Sequence, residues 1–238
     1  MLGLGVGFYG VGGDMDVKGS WLPTDESSLK AWYQMGTGIT DLKPGVSLWT
    51  DSGGTSAYNM VQGTGGNQAA YNTVTKAVTF DGTDDFLQMA GQISIAAEFT
   101  VGIKFNSTTT GRVLLGDNTE ANEMFKIMDS NTLRLKTSNQ TSSSASSTVN
   151  MDMSDGSTFG DSYIVVTRDG SNEVIIWHNG VEQTPASTQT LQYTMEIDSM
   201  GVRNGPTNYW DGDIYDVVMF TAKNDTLTAN VNNYLGAL

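Results

Sequence analysis

The sequence predicts an all-β fold, an antiparallel two-sheet β-sandwich closed by a short C-terminal helix. Three observations predict it. The 238 residues include 28 Gly together with abundant Ser, Thr and Asn, the residues of turns. Short runs of Val, Ile, Phe and Tyr lie between these turn formers, as strands require. The clearest run, Phe99 to Phe105, alternates Phe99, Val101, Ile103 and Phe105 with more polar neighbours, which is the period of a half-buried strand. A chain of this length is ample for one large sandwich core.

Taken along the chain, residues 1–20 show no helical or strand period and read as a glycine-rich N-terminal arm. Leu2, Leu4, Val6, Phe8, Tyr9 and Val11 make it more apolar than a solvated tail requires, so it is expected to dock on a neighbouring chain. Residues 21–238 are expected to form the sandwich domain. Strands are predicted at SLKAWYQM and VSLWTD, followed by a long irregular connection to Asn72. Further strands are expected at Ala77 to Phe80, at Asp85 to Met89 after an Asp81-Gly82 turn, and at Phe99 to Phe105. Arg112 to Leu115, Met124 to Met128 and Thr132 to Lys136 read as a meander. The low-complexity stretch 137–149 reads as a loop or a solvent-facing edge. YIVVTRDGSNEVIIWHNGVEQ is the clearest hairpin, with turns at Asp169-Gly170 and Asn179-Gly180. Strands at Thr194 to Val202 and Asp213 to Phe220, then a helix near Leu227 to Leu235, complete the chain.

Charge and composition exclude several function classes. Twelve Lys and Arg against 26 Asp and Glu give a net charge of −14, which repels phosphate backbones unless a local basic patch exists. No Lys/Arg cluster stands out in the sequence, so no nucleic-acid partner is expected. The absence of Cys excludes disulfides, zinc-thiolate sites and thiol nucleophiles. The opening MLGLGVGFYGVGG lacks a basic region and is broken by Gly, so neither a secretory signal nor a membrane partner is expected.

The order of LKAWYQM, LWTDSGG, AVTFDGTDDFLQM, the YIVVTRDG hairpin and the final MGVRNGPTNYWDGDIYDVVMF segment resembles the laminin-G-like jelly rolls of the concanavalin A-like lectin/glucanase superfamily. The resemblance spans about residues 28–235. It implies a concanavalin A-like jelly roll and a calcium site to which an Asp of the last strand contributes. Asp81, Asp213 and Asp216 are the ligands expected on that basis, drawn from the groups Asp81, Asp84, Asp85 and Asp211, Asp213, Asp216. Calcium suits them because it takes carboxylate and carbonyl oxygens in irregular loops. In style, the Gly-rich opening and the Thr/Ser/Asn-rich body also resemble tailed-phage virion proteins.

Other candidate sites follow from residue type. Asn208, Tyr209 and Trp210 follow Gly205-Pro206 in an expected loop and are the candidate carbohydrate-binding residues, since an aromatic face suits the C–H face of a sugar ring. Glu196 and Asp198 resemble part of the E-x-D-x-x-E box of laminarinase-type glycosidases, whose last Glu would fall where Met200 and Gly201 stand. His178, the single histidine, has no nucleophile-elbow motif beside it and reads as a residue flanking a turn. These readings make the chain a non-enzymatic virion component: a capsid decoration, tail or fibre jelly roll held by its arm to other virion proteins, oligomeric, and able to bind a host-surface glycan. The alternative is a carbohydrate-binding module of a bacterial surface protein, extracellular or at the cell surface. A glycoside hydrolase ranks third.

Overall fold

The computed structural model describes residues 21–42, 45–107, 109–119, 124–139, 142–153, 158–183, 188–204 and 207–238, with the backbone alone at 124 and 142–144. The expected arm, residues 1–20, and the Gly205-Pro206 pair lie outside the described residues. The first strands are β1 (Leu29–Tyr33), β2 (Ile39–Asp41), β3 (Val46–Trp49), β4 (Met60–Val61), β5 (Ala70–Asn72) and β6 (Ala77–Asp81). Next come β7 (Leu87–Ile95), β8 (Phe99–Ser107), β9 (Arg112–Gly116), β10 (Met124–Ile127), β11 (Thr132–Asn139) and β12 (Ser142–Asp152). The chain closes with β13 (Asp161–Arg168), β14 (Val174–His178), β15 (Val181–Gln183), β16 (Met195–Met200), β17 (Asp211–Phe220) and the helix α1 (Asp225–Ala237).

Two antiparallel sheets result, as the residue pattern predicts. One is eight-stranded, ordered β15-β14-β13-β8-β17-β6-β5 with β1 also paired to β17. The other is nine-stranded, ordered β12-β11-β10-β9-β16-β7-β4-β3-β2. Their facing sides bury one continuous core that includes Trp49, Phe80, Leu87, Phe105, Leu115, Ile164 and Ile214. Burial of such side chains is the main favourable term holding the layers together, at about 1.5–3 kcal/mol each.

The eight-stranded sheet is apolar on both faces at its centre. In β13, Ile164 and Val166 enter the inter-sheet core while Val165 faces α1, which explains the unbroken apolar run in the sequence. Helix α1 begins at Asn224, whose side-chain oxygen accepts from Leu227 N at 2.8 Å and so caps the first turn. Its Leu227, Val231 and Leu235 lie on Trp32, Val165, Val218 and Phe220. The approach is close enough that a Cβ on Gly102 would sit 2.7 Å from Val231 Cγ1. Only a glycine in β8 lets the helix settle there. No described helix is long and apolar enough to cross a membrane.

The turns follow their residues. Asn179 and Gly180 both have positive φ, 50° and 81°, the pair that a two-residue hairpin of this twist needs. At the other hairpin, Asp169 Oδ1 accepts from Ser171 N and Glu173 N. The polar stretch 137–149 falls in the β11–β12 hairpin, and β12 is the edge of the nine-stranded sheet, so the solvent-facing-edge alternative describes it. Serines and threonines alternate there without an apolar signal on either side. Strand β7 extends beyond the expected Met89 to Ile95, with Gln88 and Gln92 on the face opposite Leu87, Met89, Ile93 and Ile95.

Candidate functional site

The outer face of the nine-stranded sheet is the one that α1 leaves uncovered, and Gly201 and Asn208 sit beside β9 at one end of that sheet. Strand β16 pairs with β9 only through Ser199↔Gly116 and Met200↔Leu115. Beyond that point the chain continues the pairing: Gly201 N donates to Leu114 O at 2.9 Å and Val113 N donates to Asn208 O at 3.0 Å. Gly201 has φ +84° and packs on Phe80, where a Cβ would stand 2.7 Å from the ring, so the chain can leave β16 here only as glycine. Trp210 N returns to Gly201 O at 2.8 Å and closes the loop. Two polar groups of opposite character flank it.

On the β16–β7 side is a cluster of amides around two buried carboxylates. Asp117 accepts from Gln92 Nε2 at 2.8 Å and from the backbone and hydroxyl of Thr119 at 2.7 and 2.6 Å. Asp198 accepts from Asn118 N at 2.6 Å, and Asn118 Nδ2 donates to Gln88 Oε1 at 3.0 Å. Asn204 adds a further amide: its backbone N donates to Asp117 O and its side chain to Thr119 O. Burial raises the carboxyl pKa of Asp198, the nearby charge of Asp117 adds to this, and the hydrogen bond from Asn118 N opposes it. Asp117 thus anchors the Gln92 amide and Asp198 the Asn118 backbone, while Gln88 and the Thr119 carbonyl orient the side-chain amides of Asn118 and Asn204.

On the β10–β11 side the outward positions are basic. Phe125, Ile127, Leu133 and Leu135 enter the core, so alternation turns Lys126 and Arg134 outward, where they pair directly across the strands. Arg134 Nε donates to Asn150 Oδ1 at 2.8 Å. Arg112 Nη1 donates to Gly82 O at 3.4 Å at the end of the sandwich. Asn208, in the left-handed region at φ 60°, turns its carboxamide into this group. Its oxygen accepts from Arg203 Nε at 3.1 Å and Thr207 Oγ1 at 3.3 Å, while its nitrogen donates to Gly111 O at 3.1 Å. Lys126 Nζ lies 3.4 Å from the same carboxamide, at the position the nitrogen then takes. Burial first, then the charges of Arg203, Arg134 and Arg112, hold the Lys126 ammonium below its usual range. The expectation that no basic cluster exists is thereby corrected: residues 112, 126, 134 and 203 are far apart in sequence and adjacent in the fold.

The residues singled out in the sequence are distributed as follows. Asn208 lies in the basic group, and Tyr209 is half-buried beside it. Burial raises the Tyr209 phenol pKa, and the charge of Asp84 adds to the effect. Trp210 is 0% exposed, edge-on to Phe105 with ring centroids 5.7 Å apart, so its ring is core and presents no face to a sugar. Sandwich-end packing wins because β17 begins at the next residue and carries the indole inward.

Asp81, Asp213 and Asp216 do not converge on one point. Among the described residues, the carboxylates whose oxygens fall within 4.8 Å of one another are Asp81, Asp84 and Asp85, and these could meet on one cation. The turn already uses some of their lone pairs, since Asp81 Oδ1 accepts from Thr83 N at 2.8 Å and Asp85 Oδ2 from Asp81 N at 3.0 Å. Burial, with the charges of Asp81 and Asp84, pushes the Asp85 carboxyl up to about 6. Asp213 instead accepts from Thr79 Oγ1 at 2.5 Å, across from β6. Asp216 is fully buried beneath α1 and accepts from Trp32 Nε1 at 3.2 Å, Met35 N at 2.9 Å and Tyr234 OH at 2.8 Å. Three protein donors occupy the carboxylate that was expected to face a metal.

His178 and Ser162 approach to 3.1 Å, but they are 1% and 4% exposed, and Phe159 packs edge-on against the imidazole. Glu196 stands on the outer face beside Ser94, 3.5 Å away. A bulge between Ile197 and Ser199 tucks Asp198 in below it.

No family model matches the chain, and no curated protein matches its sequence. Among solved structures, domain 4 of AbnA, a GH43 extracellular arabinanase from Geobacillus stearothermophilus, in complex with arabinotriose, is similar over 86% of this chain and 98% of that domain, at 14% identity and a TM-score of 0.55. The binding domain of botulinum neurotoxin serotype D/C VPI 5993 is similar over 90% of this chain and 53% of its own length, at 13% identity and a TM-score of 0.55. The NanB sialidase of Streptococcus pneumoniae (K499G mutant) is matched over 64% of this chain, at 15% identity and a TM-score of 0.43, and the chain spans 27% of its length. The likeness to the arabinanase domain and to the neurotoxin binding domain, at this identity, shows the shared sandwich fold alone.

Proposed function

We propose that this chain is a carbohydrate-binding module, a non-catalytic sandwich that recognises an oligosaccharide on the outer face of its nine-stranded sheet, beside the Gly201–Trp210 loop. The observation that carries this reading is the set of surface amides, Gln88, Gln92, Asn118 and Asn204, whose side chains are already fixed by hydrogen bonds: Gln92 donates to the buried Asp117, Asn118 donates to Gln88, and Asn204 donates to the Thr119 carbonyl. Sugar hydroxyls both donate and accept, and an amide does the same in one plane. Amides already fixed by a second layer lose little side-chain freedom on binding, so more of each hydrogen bond is retained as affinity. Tyr209 supplies a half-exposed aromatic edge at the end of the face. The reading also draws on domain 4 of the arabinanase, an equivalent sandwich over nearly its whole length that is in complex with arabinotriose.

On this reading the protein works outside the cell or at a cell surface, and its contribution is to hold a partner against a glycan. The virion role expected from the sequence rests on residues 1–20, outside the described residues, and the carbohydrate-binding alternative takes precedence over it.

The test is a glycan array with the purified chain, followed by calorimetric titration of the tightest oligosaccharide. The double variant Gln88→Ala, Asn118→Ala is expected to melt within a few degrees of the parent and to bind about tenfold more weakly, since two such hydrogen bonds contribute roughly 0.5–1.5 kcal/mol each. Unchanged affinity in the double variant would move the site off this face. Failure to bind any glycan would remove the reading.

A further inference from the structure

We infer that residues 2–11 of the chain fill an apolar groove at the C-terminal turn of its own α1, so that the N-terminal arm closes over the end of the helix.

The groove measures about 440 Å³ and is lined by Trp21 and Leu22 and, at the end of the helix, by Tyr234, Ala237 and Leu238. A cavity of roughly 150 Å³ holds one benzene ring, so there is room for about three side chains of that size. Its remaining walls are the amides of Asn230 and Asn233, and none of its walls is a charged side chain. The groove belongs to the α1 side of the eight-stranded sheet, away from the proposed glycan face, and it stands whether or not a saccharide binds.

Its walls are fixed. Trp21 lies tilted against Phe220 with ring centroids 6.1 Å apart and edge-on to Tyr234 at 6.2 Å, and its Nε1 donates to Glu26 Oε1 at 3.1 Å. Tyr234 is held through its hydroxyl, which donates to Asp216 Oδ2 at 2.8 Å. Aromatics tied down in this way cannot swing in to close the groove, and Leu22 and Leu238 are left 43% and 39% exposed beside it. Large apolar side chains exposed together in one patch gain stability from whatever covers them.

Three features name the arm as that cover. The first is position: residues 1–20, outside the described residues, join the rest of the chain at Trp21, which is itself a wall of the groove. Residues 12–20 reach roughly 30 Å when extended, ample to bring residues 2–11 back onto it. The second is chemistry. Leu2, Leu4, Val6, Phe8, Tyr9 and Val11 lie in a stretch with no charged side chain before Asp14, which suits a groove without charge. The third is competition. A segment tethered this close acts at an effective concentration of about millimolar, whereas a second copy in dilute solution brings a net charge of −14 against its like. An arm seated in its own groove is not free to hold the chain to a neighbour, which is the role the sequence suggests for it.

The chain has no Cys, so a pair of thiols can be introduced without competitors. Ala237→Cys is combined in turn with Leu4→Cys, Phe8→Cys and Val11→Cys, and each full-length pair is treated with oxidised glutathione at several protein concentrations. The control is Phe8→Cys, Thr148→Cys, whose second thiol stands on the edge strand of the other sheet. Ala237 and Thr148 are both exposed, so neither substitution disturbs the core. At least one of the three pairs is expected to close at least tenfold faster than the control and to remain a monomer at every concentration. Disulfide-linked dimers whose yield rises with concentration would overturn the inference and give the groove to the arm of a second copy. Closure of all three pairs no faster than the control would overturn it in favour of a different partner. The double variant Leu4→Ser, Phe8→Ser gives an independent reading: it is expected to bind the apolar dye anilinonaphthalene sulfonate severalfold more strongly than the parent. A parent that binds the dye as strongly as this variant has an open groove, which contradicts the inference.

Discussion

Replacing Trp210 by alanine lowers the free energy of unfolding by about 3–5 kcal/mol, the cost of deleting a fully enclosed aromatic ring from a packed core. The indole packs edge-on against Phe105 in the inter-sheet core. Among the described residues its Nε1 has no hydrogen-bond partner, so Trp210→Phe sacrifices no such contact and is expected to be much milder than the alanine variant. Tyr209→Ala, one residue away and half-exposed, is expected to leave stability within about 0.5 kcal/mol. Urea unfolding midpoints of the three variants measure this directly. A Trp210→Ala variant that unfolds like the parent but no longer binds sugar would return the ring to the surface role that its sequence neighbours first suggest.

The second large effect concerns Asp216. Removal of its carboxylate in Asp216→Ala leaves Trp32 Nε1, Met35 N and Tyr234 OH without their acceptor beneath α1. Orphaned buried donors cost about 1–3 kcal/mol each, so a loss of at least 3 kcal/mol is expected. The same group sets a pH dependence. Burial pushes the Asp216 carboxyl up to about 7 from 3.8, against the lowering influence of its three donors and of Lys104. Folding therefore favours the protonated acid. The stability it contributes is complete below about pH 4 and is lost as pH climbs through 7, and Asp85, raised to about 6, acts in the same direction. The parent is expected to melt at a higher temperature at pH 5 than at pH 8. Asp216→Asn, isosteric and uncharged, is expected to flatten that slope. A parent that gains stability between pH 5 and 8 would contradict the assignment.

Much of the sandwich was legible because its strands alternate locally. The runs at Phe99 to Phe105, Leu133 to Leu135 and YIVVTRDG state which face is buried, and Asn179-Gly180 states where the chain reverses. Strand β12 was harder to read, because serine and threonine carry no sidedness. The order of strands within the sheets is a long-range property on which local alternation is silent.

The site was legible in part. Alternation alone turns Lys126 and Arg134 outward, and the expected meander makes them neighbours, so two of the four basic residues could have been found from residues 124–136. Arg203 could not, because it reaches the group through a loop that replaces β16 beside β9. The amide cluster draws on β7, β9 and β16, which are distant in sequence. Asp216 was expected to be a metal ligand because the resemblance puts an Asp of the last strand at a calcium site, whereas its partners here are an indole, a phenol and a backbone amide. Trp210 looked exposed because Gly205-Pro206 marks a loop, while the strand that carries the ring inward starts only at Asp211.

The central claim is that a saccharide binds the outer face of the nine-stranded sheet. Its most direct test is a two-dimensional amide NMR titration of the isotopically labelled chain with the tightest oligosaccharide found on the array. The predicted result is a set of saturable shifts in the side-chain amides of Gln88, Gln92, Asn118 and Asn204 and in the backbone of residues 126–134 and 201–209, with α1 unmoved. Shifts confined to the Asp81–Asp85 turn, or to α1 and the strands beneath it, would place the site elsewhere and contradict the claim.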